Sequence, residues 1–413
     1  EKELRRAEVL SRVKAGELKV VTAAELLGLS YRQTKRLWGR YRRRGAKGLQ
    51  HGNAGRRSNR AKPREVRQQA MELVRRKYGG EPGERFGPTL AAEHLESDEG
   101  LRVDHETLRR WMLGEGLWSR ERKRKQHRRR RQRKEHLGEL VQLDGSLEEW
   151  LEGSGQKQCL MNLVDDATSK TLSQLQEQET TWAAVDVLRA WAEKYGIPHC
   201  LYTDWKNVYL REPTPKERLT GEEPLTQFGR MCRKLGVKII GASSPQAKGR
   251  VERSNGTQQD RLIKKLRLYQ IGTIAEANQY LRQHYLPDHN RRFSREPRSA
   301  EDYHRKRPRK AELDAIFRIE EPRVISNDWV VQYQGRCLQI ERESRYAPAG
   351  SRVMVSEGHD GRLQLCYRGR PVKWREIPRP APRPEARPTA QGRALEWRKK
   401  MHQPAGTHPW KKW

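Results

Sequence analysis

Leu140-Val141-Gln142-Leu143-Asp144-Gly145-Ser146 is an apolar run that ends on a carboxylate and is followed at once by a glycine. A short apolar run bounded by a turn signal reads as a strand, and the composition changes sharply just before it, at Leu137. Working outward, residues 158–164 read as a second strand and 170–176 as a third, more polar one. Residues 182–195 carry helical apolar spacing, which Ile197-Pro198 brings to an end. A fourth strand over 199–203 runs into Asp204, residues 228–235 read as a helix, 237–241 as a fifth strand and 250–268 as a long helix. Three strands, helix, strand, helix, strand, helix is the element order of an RNase H-like α/β domain, predicted over residues 137–270. Order of elements speaks to fold and does not by itself give function.

Three carboxylates stand out within this frame. Asp144 and Asp204 each end a strand, and Glu252 lies near the start of the last helix, after Ser243-Ser244-Pro245-Gln246-Ala247-Lys248-Gly249-Arg250. Carboxylates at strand ends ordinarily make caps or surface pairs, and any one of these alone would be unremarked. If the first and fourth strands are neighbours, however, Asp144 and Asp204 converge at one sheet edge, and the last helix brings Glu252 across to them. Such a cluster repels itself unless cations sit within it. Hard oxygen ligands suit magnesium, with manganese as the alternative. Two ions about 3.5–4 Å apart would clamp the attacking and leaving oxygens of a phosphodiester, with Asp144 bridging both. The adjacent pair Asp165-Asp166 is open to two readings, as further metal ligands or as turn caps. His199 and His284 read as structural.

The whole chain is strongly basic. Its 413 residues hold 87 Lys+Arg against 53 Asp+Glu, a formal net charge of +34, so a polyanionic partner is expected and double-stranded DNA is favoured. No apolar run approaches the roughly 20 residues needed to span a bilayer, and no signal peptide opens the sequence, so a cytoplasmic location without membrane contact is expected. Five scattered cysteines without a C-x-x-C pair fit reduced thiols rather than zinc or disulfides.

The length predicts several domains. Residues 1–60 read as a helix-turn-helix DNA-binding domain: a short apolar helix, Gly28 at the turn, Ser30 as an N-cap, then a helix whose early Gln33, Thr34, Lys35 and Arg36, with Arg40 further on, would face a major groove. An ordinary helical hairpin would show the same pattern. Residues 61–118 read as a second helical DNA-binding domain, or a spacer, with Thr89 and Asp104 as N-caps. A basic linker over 119–136 includes Arg128 and Arg129 as candidate phosphate contacts, alongside Lys248, Arg250 and Arg253 further on. After a helical connector at 271–315, alternating short apolar runs punctuated by glycine predict a small antiparallel β-barrel over 316–378. A Pro- and Arg-rich tail, 379–413, closes the chain.

Val141-Gln142-Leu143-Asp144-Gly145-Ser146, with Trp150 beyond it, resembles the first block of ISNCY-type insertion-sequence transposases of the DDE superfamily. Leu163-Val164-Asp165-Asp166-Ala167-Thr168-Ser169, Tyr202-Thr203-Asp204 and above all residues 244–257 resemble later blocks, as do His289-Asn290-Arg291-Arg292-Phe293 and His408-Pro409-Trp410. The resemblance implies an integrase-like core that nicks the ends of a bacterial mobile element and uses the freed 3′-hydroxyl to attack target DNA. Joining both ends further implies a homo-oligomer assembled on DNA at the nucleoid. This sequence departs from the pattern in places. Asp204 and Glu252 lie 48 positions apart, a long separation that a charged loop at 211–223 would account for. Gln259 stands two helical turns after Glu252, where many such enzymes carry Lys or Arg, and its role is open. Two other functions fit the same residues: a nuclease or resolvase without strand transfer, and a DNA-binding regulator whose catalytic domain is silent.

Overall fold

The computed structural model describes residues 2–50, 61–119, 131–242, 248–341 and 349–378. The chain divides into two compact units, Glu1–Arg120 and Glu121–Trp413. In the first, α1 (Lys2–Lys14), α2 (Val20–Leu27) and α3 (Tyr31–Arg44) close on Val9, Leu10, Val13, Ala23, Leu37 and Leu49. Gly28 ends α2 in the left-handed region at φ 63°, which glycine adopts without steric cost, and Ser30 accepts from Gln33 N to start α3. One assignment on α3 changes. Thr34 is buried one turn before Leu37, on the face that packs inward, so it is not available to a groove; Gln33, Lys35, Arg36 and Arg40 are exposed.

Three more helices follow in this unit: α4 (Arg64–Lys77), α5 (Pro88–Ser97) and α6 (His105–Gly114). Asp104 caps α6 through Glu106 N and Thr107 N, as its position predicts. Thr89 does not cap α5. The helix begins earlier, with Gly87 at the cap and Pro88 in the first turn, where a missing N–H costs nothing.

The second unit is built on β1 (Leu140–Glu148), β2 (Gln158–Asp165), β3 (Thr171–Gln176), α7 (Thr181–Lys194), β4 (Cys200–Thr203), α8 (Pro215–Thr220), α9 (Gln227–Lys234), β5 (Lys238–Gly241) and α10 (Gly249–Leu268). The strands form one sheet in the order β3-β2-β1-β4-β5. β1, β2 and β3 pair antiparallel, and β4 and β5 add in parallel to β1, so the five expected strands form a mixed sheet in which the first and fourth are neighbours. The period of the pleat sorts β1. Val141 and Leu143 enter the core beneath α7 and α9, while Gln142 and Asp144 face α10. α8 lies in the charged loop and carries its own capping box, Thr214 with Glu217.

α11 (Ile274–Tyr280) and α12 (Leu286–Phe293), joined by a π-helical turn, brace the outer edge of the sheet. β3 is an edge strand, and two asparagines use both of their amide groups on it. Asn290 accepts from Thr171 N at 2.7 Å and donates to Thr171 O at 2.8 Å; Asn278 does the same at Leu175, both at 2.8 Å. The outward backbone groups of Thr171 and Leu175 are thus satisfied without another strand. 

Beyond α13 (Lys310–Ile316), the expected barrel is two sheets. β6 (Arg318–Val324), β9 (Arg352–Gly358), β10 (Leu363–Tyr367) and β11 (Arg370–Val372) form one; β7 (Val330–Tyr333), β8 (Arg336–Ile340) and β12 (Trp374–Ile377) form the other. They share a core of Ile325, Val331, Leu338, Val353, Val355 and Leu365. Two-residue turns at Gln334-Gly335 and Arg368-Gly369 have positive φ at both positions, the geometry that matches the twist of a tight hairpin. All five cysteines are free thiols, and no helix among the described residues is long and apolar enough to cross a membrane.

Candidate active site

The register of β1 on β4 pairs Val141 with Leu201 and Gln142 with Tyr202. Carried on by two residues, it sets Asp144 level with Asp204. The two carboxylates meet on one cation: Lys248 Nζ lies 2.8 Å from Asp144 Oδ1 and 2.6 Å from Asp204 Oδ1. Burial pushes the Asp144 carboxyl above its ordinary range; Lys248 pulls it back down and Asp204 raises it further. Lys248 was expected to contact phosphate. Its side chain is only 3% exposed and turned into the carboxylate pair, because two acids on neighbouring strands need a counter-charge.

Helical spacing puts Lys248, Glu252, Asn255 and Gln259 on one stripe of α10 and its N-terminal cap. Asn255 Nδ2 donates to Asp144 Oδ2 at 2.9 Å, so residues on both sides of Glu252 along that stripe hold Asp144. The Glu252 side chain is exposed and does not join them. Among the described residues, no group of three His, Cys, Asp or Glu side chains is close enough to hold a metal ion. The structure thus brings two of the three expected carboxylates together and sets the backbone of the third beside them.

Behind Asp144 runs a buried polar chain. Asn255 Oδ1 accepts from Asn162 Nδ2 at 2.8 Å, and Asn162 Oδ1 accepts from Ser173 Oγ at 2.8 Å. These bonds fix the rotamer of Asn255 and through it one oxygen of Asp144. Gln259 has a role here as well. Its Nε2 donates to Ser146 Oγ at 3.0 Å and Glu148 Oε1 at 3.3 Å, tying α10 to the far end of β1.

Sequence reasoning missed Glu179, which follows β3. Its carboxylate is almost buried and accepts from Lys206 Nζ at 2.6 Å and Tyr209 OH at 2.8 Å. Burial and Glu179 together push the Tyr209 phenol well above its ordinary value. Gly145 makes room for this cluster: a Cβ there would lie 2.7 Å from Glu179 Oε2 and 2.9 Å from Cys159 Sγ. Gly145→Ala is therefore expected to cost about 1–3 kcal/mol by overpacking. Thermal melting checks it, and a variant that melts with the wild type would show that Glu179 moves aside freely.

The Asp165-Asp166 pair makes turn and ion-pair contacts. Asp165 accepts from Gly138 N at 3.0 Å and from Thr168 N and Oγ1, each at 2.7 Å. Asp166, fully buried, accepts from Arg250 Nη1 at 2.7 Å, Gln142 Nε2 at 2.8 Å, Lys134 N at 2.8 Å and Arg131. Arg250 is accordingly not a free phosphate contact. Its charge is held by a buried carboxylate, and burial lowers its pKa to about 10 against the pull of Asp166. Arg253 is exposed; Arg128, Arg129, residues 243–247 and the 379–413 tail lie outside the described residues.

The chain is 37% identical over 381 residues to "Putative transposase y4bF" of Sinorhizobium fredii (strain NBRC 101917 / NGR234), covering 91% of this chain and 81% of the relative. It is 26% identical over 442 residues to the transposase for insertion sequence IS1202 of Streptococcus pneumoniae, covering 98% and 92%. Among solved structures, the HTLV-2 integrase catalytic core domain in complex with magnesium (trimeric form) matches at 19% identity and a TM-score of 0.28, over 35% of this chain and 83% of that one. The simian T-cell lymphotropic virus intasome in complex with PP2A regulatory subunit B56 gamma matches at 15% identity and a TM-score of 0.32, over 60% and 82%. No family model matches the chain.

Proposed function

The chain belongs to the insertion-sequence transposases, and from that premise we propose that it binds the ends of its element, cleaves a phosphodiester there and joins the freed 3′-hydroxyl to target DNA. The observation that carries this reading is the buried ammonium of Lys248 shared by Asp144 and Asp204, a stand-in for a cation where an acid within β1 and one just past β4 need it. Magnesium, or manganese in its place, would be held there by Asp144 and Asp204 with Glu252, and when bound supplies Lewis-acid polarisation of the phosphoryl oxygens and an activated oxygen nucleophile.

The chain's own contribution is orientation. Asn255 holds one oxygen of Asp144 from behind, and the β1–β4 pairing holds the level of Asp204. In cleavage, a water oxygen bonds to phosphorus as the P–O3′ bond breaks, leaving a 3′-hydroxyl and a 5′-phosphate. In joining, that hydroxyl oxygen bonds to a target phosphorus, and the target's own 3′-oxygen leaves and takes up the proton. Gln33, Lys35, Arg36 and Arg40 on the exposed face of α3 are assigned to DNA, and the set α4 to α6 to a second contact. A net charge of +34 supports a polyanionic partner. Because both ends must be held at once, a homo-oligomer on DNA is part of the proposal.

Incubation of pre-cut element ends with plasmid and magnesium tests it. A strand-joined product is expected. Hydrolysis without joining would make the protein a nuclease, and specific binding without cutting in magnesium or manganese would make it a regulator.

A further inference from the structure

A second stripe runs along α10 beside the one that holds Asp144. Arg250, Arg253, Ser254 and Thr257 follow the i, i+3, i+4, i+7 spacing and wall one side of a cavity of about 210 Å³. Arg133, Arg295, His289 and Phe293 close it from the other side. The cavity gathers four guanidinium groups. Only Arg250 has a carboxylate partner, Asp166; among the described residues no carboxylate pairs with Arg133, Arg253 or Arg295. Arg133 spends its bonds on neutral oxygens, donating to Asp166 O at 3.1 Å, Ala167 O at 3.0 Å and Ser169 Oγ at 2.9 Å. Its guanidinium is pushed below its usual range by burial and then by the neighbouring Arg295. Positive charge of this density with one acid to offset it calls for an anion.

A second feature points the same way. His289 lines the cavity, is 5% exposed, and its Nδ1 is buried with no hydrogen-bond partner among the described residues. A buried polar atom without a partner is costly, and this one belongs to a residue that lines a basic cavity. Burial, with Arg261 adding to it, lowers this imidazole to about 4, so near neutrality it is an uncharged ring able to donate from Nδ1. Phe293 stands at the rim 39% exposed, with Arg261 over its ring at 5.0 Å and His289 packed against it at 4.8 Å. An aromatic face beside an anion site suits a nucleotide, whose base or sugar packs on the ring while its phosphate meets the cations.

We propose that this cavity binds one backbone phosphate of a DNA strand, on Arg133, Arg253, Arg295 and the hydroxyls of Ser254 and Thr257, with the attached nucleoside against Phe293. The inference rests on the DNA-joining reading above and deepens it by assigning a phosphate site separate from the carboxylates. The cavity and the Asp144 cluster share α10: Arg253, Ser254 and Thr257 line the one, and Asn255 between them holds the other. The motif His289-Asn290-Arg291-Arg292-Phe293 thereby has its parts divided: Asn290 clamps the edge strand, while His289 and Phe293 shape the cavity.

The test needs no catalysis. Full-length protein is bound in EDTA to duplexes carrying the terminal 30 or so base pairs of its element, each with one phosphate replaced by a neutral methylphosphonate. Wild-type protein is expected to lose roughly 10-fold or more in affinity at one position near the cleavage site, the scale of a lost charge-assisted contact. Arg253→Gln/Arg295→Gln, both exposed positions, should lose no further affinity at that position while keeping the wild-type melting temperature. If the variant stays as sensitive as wild type at every position, the cavity site is overturned and the joining reaction is untouched. If the duplex is bound in this way and pre-cut ends are never joined, the reaction fails while the site stands. Inorganic phosphate raising the melting temperature of wild type alone, without any position effect on DNA, would assign the cavity to free phosphate and overturn the DNA assignment.

Discussion

Asp144→Asn protein is expected to fold normally and to cleave element ends roughly 10³-fold more slowly, a loss of several kcal/mol of transition-state stabilisation. The amide keeps the shape of the side chain, so an oxygen remains for Asn255 Nδ2 or Lys248 Nζ, but the charge that would hold a cation is gone. Asp204→Asn should behave alike. Glu252→Gln is the sharper case. Glu252 is exposed and stands outside the Lys248 cluster, so its replacement should leave the melting temperature unchanged. If the side chain turns inward along the stripe shared with Lys248 and Asn255 when metal and DNA bind, activity should nonetheless fall by the same order. A nicking assay with labelled ends, run beside a thermal melt, reads both. An active Glu252→Gln enzyme would remove it as the third acid, and loss of activity in Glu179→Gln at an unchanged melting temperature would then put Glu179 in its place, since that carboxylate reaches the site through Lys206.

What the sequence revealed, and what it hid, divides along the range of the interactions involved. Apart from α8, which lies in a segment read as a charged loop, the strands and helices of the catalytic domain are written in local periodicity, which is why Leu140 to Asp144 could be read as a strand. Asp144 and Asp204 could be placed side by side because each follows an apolar run, although β1 continues to Glu148 and leaves Asp144 inside the strand, level with Asp204 just past β4. Charge alone could not say what a cation would do. Lys248 and Arg250 sit in a basic stretch that suggests phosphate, yet they meet acids 104 and 84 positions away, and such partners leave no mark on local pattern. Thr34 failed for a smaller reason: a polar residue between polar neighbours gives no sign that its face turns toward Leu37. Glu179, after β3, and Lys206 with Tyr209, in one turn after β4, form a cluster only once β3 and β4 are packed.

Replacing Arg250 by Met should destabilise the protein before any DNA is added, by about 3–5 kcal/mol, the usual consequence of removing one member of a buried ion pair. At about 2–4 °C per kcal/mol for a unit of this size, the melting temperature should fall by on the order of 10 °C. The size follows from what is left behind. Asp166 is wholly buried, and without Arg250 it retains Gln142, the Lys134 backbone and Arg131, whose own side chain is 35% exposed and compensates less. Asp166→Asn should cost a comparable amount from the other side, by stranding Arg250 among Arg131, Arg133 and Arg253, all of which already press on its charge. The double variant decides whether the two act as one unit. If they do, its loss should fall short of the sum of the single losses by 0.5–3 kcal/mol or so, the range measured for residues in direct contact. Additive losses would mean that Asp166 is held chiefly by Arg131. An Arg250→Met protein that melts with the wild type but binds DNA more weakly would return Arg250 to the phosphate role that its sequence context first suggested.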